Sequence, residues 1–567
     1  MAYDIKITGG DIVDGTGGPR RRGEVAITDG KVVALGNAPG AARETIDATG
    51  HVVSPGFVDI HTHYDAQVLW DPMLTISPWH GVTSVVVGNC GFGVAPTRPE
   101  HRDLILRTLE RVEGMSLAAL KAGIGADWPF QTFPEYMDAL ERQPLGINVA
   151  VMVGHTPVRL SVMGDESTTR AASAPEIAEM KRIVAEAMAA GAVGFATSVS
   201  KVHIGYAGRP VPSRLAAFGE MLEIADAVGK SGHGIIHYNV GRDPRWDEYE
   251  QLHRKSGRPV IWTALLAGSL GPNSHRPQLA RSAELIGRGL PIYPQGACRP
   301  IQIEFDFRSP VVFDTFASFE RLRAAPDDDA RRAVYADAAF RHRVKRQLAG
   351  RGPDDAFFMG KELEGDSRRA MFRNLVISSS GEAALAERRL VDIAAQRGID
   401  PVDLMFDIAG QDLRTRMRAN VLNFEEAEVR EILQDPNVLI ALGDGGAHMS
   451  QLCDACYATH LLGHWVRDDG ALTLEQAVHQ LTQRPADIFG LKDRGRLAVG
   501  LPADIVVFDP ATVGAGKLER VHDLPAGEDR LISRPRGVTA VIVNGRCLPE
   551  PGTRPAAPSG KLLRQVV

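Results

Sequence analysis

Apolar residues along this chain follow two rhythms. Up to about residue 52 they come in short β-branched runs, at 5–8, 24–28 and 31–36, separated by Gly-Gly and Asp-Gly pairs. Runs of this length between glycine turns predict short strands and hairpins, with Val25, Ile27 and Val33 forming their apolar face. The same grammar returns over residues 497–546. Neither segment alone buries enough surface to close a core. A small β-sandwich domain formed from both chain termini is therefore predicted, residues 1–52 with 491–567, since chain ends commonly lie close together.

The middle, residues 53–490, reads differently. Runs at 56–63, 82–91, 147–156, 193–200, 233–240, 258–266, 290–296 and 437–446 are apolar almost throughout and stop at polar or glycine residues. Parallel strands covered on both faces look like this. Between them lie helical patterns such as 174–192, 219–232, 278–289 and 473–490. Eight strands alternating with helices predict an α/β chain with a (β/α)8 TIM-like barrel. A doubly wound sheet is the alternative, but it wants a glycine-rich phosphate loop after its first strand. Here that strand ends in His61-Thr62-His63. Two stretches break the rhythm. Residues 300–380 are too long for a βα connection and predict a helical excursion over the barrel mouth. Residues 398–432 hold a polar, solvated helix, and the tail 553–561 reads as a frayed end.

Composition narrows the function. With 44% hydrophobic residues, 58 glycines and 35 prolines in 567 residues, the chain fits a turn-rich soluble enzyme, not a fibrous or disordered protein. The formal net charge of -6 gives no pull towards nucleic acid or anionic lipid. The arginines of 329–351 are interleaved with acids and lack aromatic platforms. Five cysteines do not make a disulfide scaffold, so a reducing compartment is expected. No signal-peptide pattern or membrane-length apolar run occurs, which predicts a cytoplasmic protein. A homo-oligomer is compatible with the sequence.

The chemistry concentrates at strand ends. His61 and His63 stand two apart, so both side chains project to one side of a strand and can share a metal. Cys90 ends the second strand in Gly88-Asn89-Cys90-Gly91. It can ligate zinc, attack a carbonyl, or simply pack as a small buried side chain. His237 ends the fifth strand, and Asp444 emerges from the last strand into glycines, where an acid has no packing role. His448 is more weakly placed, and His460 and His464 belong to the next helix. Cys453 and Cys456 form a CxxC without the second pair a zinc knuckle needs, and read as structural.

These residues and the segments around them identify a family resemblance. The opening TGGDIVDGTGG, VSPGFVDIHTHYDAQ, GVTSVVVGNCGFGVAP, the LGDGG stretch and the closing DRGRLAVGLPADIVVFDP resemble the amidohydrolase superfamily, and within it the D-aminoacylase or N-acyl-D-amino-acid deacylase group. That resemblance implies the barrel with its terminal β domain, one or two Zn2+ ions, and hydrolysis of a small-molecule amide. It places metal ligands at His61, His63, Cys90, His237 and Asp444. One departure stands out. The group carries a His on the sixth strand, where this chain reads Trp262-Thr263. The fifth strand also lacks the usual Thr-His-Met-Arg. Some relatives bridge two metals with a carboxylated fourth-strand lysine. Lys201 lies past that strand and is expected instead, with His203 and Arg209, to line a loop that meets an anionic part of the substrate.

The expected activity is zinc-dependent hydrolysis of an N-acyl amino acid, with Asp444 taking the proton of the attacking water and returning it to the leaving nitrogen. A metallohydrolase of a cyclic amide or other non-peptide C–N bond is the neighbouring alternative. An inactive scaffold on the same barrel is the third.

Overall fold

The computed structural model describes residues 2–313, 316–348, 372–550 and 557–565. Its centre is a sheet of eight parallel strands in chain order: Phe57–Asp59, Val82–Val87, Asn148–Gly154, Gly194–Ser198, Ile235–Asn239, Val260–Leu265, Ile292–Gly296 and Leu439–Ile440. These are barrel strands 1 to 8 below. The last strand meets the first: Asp444 N–H donates to His61 O (3.0 Å) and His63 N–H to Gly445 O (2.7 Å). The sheet thus closes into the expected barrel, and each of the eight apolar runs supplies one strand.

Alternation along the strands decides what faces inward. Val86, Ala150, Met152, Ile235 and Ile261 pack together in the barrel interior. Their neighbours Val85, Val87, Val149, Val151, Ile236 and Trp262 pack outward against the helices. Trp262 meets Trp246 and Tyr249 of the helix Trp246–Ser256. On strands 5 and 6 inward polar residues follow the inward apolar ones: His237 two and Asn239 four residues after Ile235, and Thr263 two after Ile261. There the polar groups of the mouth thus share the parity of the core, whereas His61 and His63 alternate with the inward Val58 and Ile60 of strand 1.

Strands from both chain ends hydrogen-bond into one mixed eight-stranded sheet. Val52–Pro55 lies inside it, antiparallel to Ile505–Phe508 on one side and parallel to Tyr3–Ile12 on the other. The expected apolar face needs one correction. Val25 and Ile27 are buried, but Val32 fills the third place and Val33 is 40% exposed. A register shift between Ala26 and Ile27 in the pairing with Lys31–Gly36 accompanies the change of face.

The excursion between barrel strands 7 and 8 also differs from expectation. Besides helices such as Asp328–Ala336, Ala338–Leu348 and Pro401–Gln411, it holds a four-stranded antiparallel sheet of Ile301–Asp306, Arg416–Leu422, Val376–Ser379 and Arg388–Arg389. It carries its own core, with Phe305, Phe313, Phe319, Tyr335 and Phe406 packed together. Short strands of alternating arginines, such as Arg416-Met417-Arg418, give a weak apolar signal in sequence. Residues 349–371 of the expected excursion lie outside the described residues.

The tail is another correction. Residues 553–556 lie outside the described residues, but 557–565 are tied down. Val149 N–H donates to Lys561 O (2.9 Å), Leu563 N–H to Val149 O (2.7 Å) and Gln565 N–H to Gly191 O (3.0 Å). Leu563 packs against the barrel-interior cluster. No helix among the described residues is long and apolar enough to cross a membrane.

One buried charge cluster ties helices to the barrel. Glu220 accepts from His155 Nε2 (2.8 Å) and from Arg159, all three side chains fully buried. Burial alone pushes the Glu220 carboxyl up, but His155 and Arg159 together hold it below its ordinary 4.5. A lowered carboxyl binds fewer protons in the folded state, so its stabilisation is present above pH 4.5 and lost as pH falls through the folded value. Glu220→Gln should cost about 3–5 kcal/mol at pH 7, because it leaves Arg159 charged and unpaired. Urea midpoints at pH 7 and pH 4 check this, with the gap to wild type expected to narrow at the lower pH.

Candidate metal centre

Barrel strands 1, 2, 5, 6, 7 and 8 deliver one polar group each or more to the C-terminal mouth, the usual active-site face of this architecture. His61, His63 and Cys90 converge there, buried, with one ligand atom of each within 4.8 Å of the others. Cys90 Sγ lies 3.5 Å from His61 Nε2. Asp444 Oδ1 lies 3.4 Å from His61 Nε2 and 3.8 Å from His63 Nε2. Two imidazoles, a thiol and a carboxylate around one point make a donor set that suits zinc.

The turns that present these groups need special backbone. Asp444 sits in the left-handed region (φ 43°), as Asp can. Gly443 beside it has no room for a side chain: a Cβ there would lie 2.2 Å from Asp59 Oδ2. Asp59 in turn accepts from His61 N–H (3.1 Å), fixing the start of the His-Thr-His turn. Cys90 is also left-handed (φ 55°). The LGDGG and GNCG stretches are therefore geometry as much as chemistry.

Electrostatics favour neutral imidazoles, the metal-binding form. Burial lowers His61 to about 4, and burial with neighbouring histidines holds His63 well below its ordinary value. Burial likewise pushes the Cys90 thiol up, aided by Glu113, while Asn239 Nδ2 donates to its sulfur at 3.0 Å. Asp444 keeps 21% of its side chain open to the mouth, although surrounding protein raises its carboxyl to about 7.

His237 lies beside this group rather than in it. Its ring is 5.2 Å from that of His61, but both its nitrogens are engaged: Nδ1 with Cys90 N–H (3.3 Å) and Nε2 with Thr263 Oγ1 (2.7 Å). His203 turns inward from its loop, Nδ1 at 2.8 Å from Ser198 Oγ and its ring 5.0 Å from Phe92. Lys201 and Arg209 are exposed on that loop, and Lys201 stands three residues past the end of barrel strand 4 at Ser198. Cys453 and Cys456 are buried free thiols. His460 and His464 stack on the helical stretch expected for them.

Several site residues escaped the sequence reading. Glu113 is buried with Oε1 3.2 Å from His63 Nδ1, in a geometry not aligned for a hydrogen bond, and burial pushes its carboxyl well above the ordinary value. No motif marks it. Asn239, Thr263 and Gln295 were legible in principle, as positions sharing the parity of Ile235, Ile261 and Tyr293. His448 approaches through its backbone, donating to Glu113 O, and burial lowers its ring to about 4.

A closed parallel barrel carrying this His-Cys-Asp group at its C-terminal mouth defines a metal-dependent hydrolase of carbon–nitrogen bonds other than peptide bonds. Residues 44–549 match the amidohydrolase family, and the chain belongs to it. It is 29% identical to the D-aminoacylase of Alcaligenes xylosoxydans xylosoxydans, over 96% of this chain and 94% of that protein. With the N-acyl-D-glutamate deacylase of the same organism it shares 30% identity, over 99% and 96% of the two chains. The crystal structure of N-acyl-D-glutamate deacylase from Bordetella bronchiseptica, complexed with zinc and a phosphonate mimic of the tetrahedral intermediate, aligns over the full length of both chains with a TM-score of 0.66 and 27% identity.

Proposed function

We propose that the chain is a zinc-dependent amidohydrolase that cleaves the amide bond of N-acyl amino acids, the D-series first among them. The observation that carries this is the convergence of His61, His63 and Cys90 within 4.8 Å, with Asp444 at their edge. The relatives named above act on N-acyl-D-amino acids by their names, which supports the substrate class. The residues present fit one ion: His61, His63 and Cys90 hold it, and Asp444 borders it. Zinc there supplies a Lewis acid for the scissile carbonyl and a more acidic water.

The chain's own residues do the rest. Asp444, the most open of the four, takes the proton from the attacking water on one oxygen and delivers it to the departing amine nitrogen. The buried walls exclude bulk water from the reacting bond. Lys201 and Arg209, exposed on the loop after barrel strand 4, and His203 beneath them meet the carboxylate of the amino acid.

A panel of N-acetyl-D- and N-acetyl-L-amino acids, hydantoins and lactams tests the reading on zinc-loaded protein. Release of free amino acid from the N-acyl-D series, with little from the cyclic amides, is expected. Turnover of the cyclic amides alone would move the substrate to that class. Zinc uptake without any hydrolysis would favour a scaffold.

A further inference from the structure

Behind the proposed ligands runs a line of hydrogen bonds whose direction can be worked out from one end. Cys90 N–H donates to His237 Nδ1 (3.3 Å). A backbone amide only donates, so that nitrogen carries a lone pair. His237 is then neutral, and its single proton sits on Nε2. From there it donates to Thr263 Oγ1 (2.7 Å). The hydroxyl's own proton goes on to Gln295 Oε1, 2.6 Å away. The carboxamide of Gln295 must therefore present its oxygen, not its nitrogen. The same oxygen lies 2.7 Å from His61 Nδ1, which must then carry the proton. His61 is left with a bare lone pair on Nε2, the nitrogen that faces Cys90 Sγ and Asp444.

We infer that Gln295 is a positioning residue for the metal centre: through Thr263 and His237 it is locked oxygen-first by the backbone amide of Cys90, and it holds His61 as the tautomer that binds a metal through Nε2. The inference rests on the zinc reading above, and it changes the role of two residues. His237 passes its Nε2 proton into the relay, while its Nδ1 lone pair faces Cys90. Thr263, which stands where the related group carries a histidine, becomes a link that a histidine's bulk would not reproduce. Every member is buried, with Gln295 and His237 fully so. Burial keeps bulk solvent away from these bonds. Among the described residues Gln295 Nε2 has no hydrogen-bond partner, so the contacts of Oε1 with Thr263 and His61 set the amide's orientation. Strand parity puts Gln295 at the mouth, but a glutamine there carries no metal-ligand signature.

Zinc affinity of the full-length protein, read by competition with a chromophoric chelator, tests the relay without recourse to activity. Q295M keeps the length and removes the strong acceptor, and its affinity should fall about 10- to 100-fold, the usual cost of losing an orienting partner. Q295E restores an oxygen at the same reach and should retain wild-type affinity. T263V frees the amide to flip and should weaken binding, while T263S, which keeps the hydroxyl, should not. Equal affinity for Q295M and wild type would overturn the inference, as would equal losses in folded Q295E and Q295M. Should Q295M fail to fold, the T263V and T263S pair decides: unchanged affinity in T263V overturns it. His61→Ala separates the two levels. If it binds zinc as wild type does, the metal reading itself fails. If it loses zinc while Q295M and T263V do not, only the relay fails.

Discussion

Alanine at His61 or at His63 should abolish amide hydrolysis, by about a thousandfold or more, in a protein that still folds. Zinc at such a site is worth several kcal/mol to the transition state, and a site of three protein ligands does not survive the loss of one. The two histidines belong to the turn that closes strand 1 on strand 8, but they close it through backbone atoms, His61 O and His63 N, which alanine keeps. The apolar interior of the barrel, with Val58, Ile60, Val86 and Met152, lies beneath them and is untouched. Far-UV circular dichroism should therefore match wild type while bound zinc falls below one equivalent. Cys90→Ser completes the set. A hydroxyl is a far poorer zinc ligand than a thiolate, so metal retention should weaken before the fold does. Were Cys90 a nucleophile instead, zinc stoichiometry would stay intact and an acyl-enzyme would accumulate with an activated substrate. Near-normal turnover in His61→Ala or His63→Ala would remove the proposed centre altogether.

Much of this centre was legible because barrel geometry converts sequence position into spatial position. A residue at the end of an apolar run faces the mouth, and the structure brings His61, His63, Cys90 and Asp444 together there from strands 1, 2 and 8. The same rule applied two residues further along strands 5, 6 and 7 reaches Asn239, Thr263 and Gln295. They were passed over because amides and hydroxyls carry no ligand signature. Glu113 could not be found that way. It ends the helix Arg102–Glu113, inside a long connection, and only tertiary packing turns it towards His63. The sheet of the excursion was hidden for a related reason: Arg416–Leu422 alternates buried and half-buried residues up to Val421, so its apolar signal is weaker than that of a barrel strand. His237 reaches the mouth as its strand-end position predicts, and its nitrogens bond Thr263 and the Cys90 backbone, a pairing that no single motif contains.

Removing the chain from residue 495 onward should disable the barrel as well as the terminal sheet. The barrel has its own core and might be expected to survive. Three connections argue against that. Val52–Pro55 loses the strand Ile505–Phe508 that pairs along its whole length, and it runs with only Gly56 between into barrel strand 1. Gly56 N–H donates to Asp504 O (2.9 Å), and Asn148 at the start of barrel strand 3 donates to Asp504 Oδ2 (2.8 Å). His80, two residues before barrel strand 2, bonds Ser533 O through Nε2 (2.9 Å). Leu563 of the tail also leaves the barrel-interior cluster. Ile505, Val507 and Ile542 are fully buried in the terminal sheet, and losing them alone forfeits about 1.5–3 kcal/mol each, against a total domain stability of about 5–15 kcal/mol. The truncated protein should be insoluble, and any soluble fraction should bind zinc poorly because His61 and His63 follow directly on the loosened strand. Hydrogen exchange on the intact protein tests the coupling without truncation. Amides of Val52–Pro55 and Ile505–Phe508 should open with the same free energy as those of Phe57–Asp59. Exchange of the terminal sheet at much lower free energy, with Phe57–Asp59 still protected, would show that the two fold independently and that the metal pair does not depend on the chain ends.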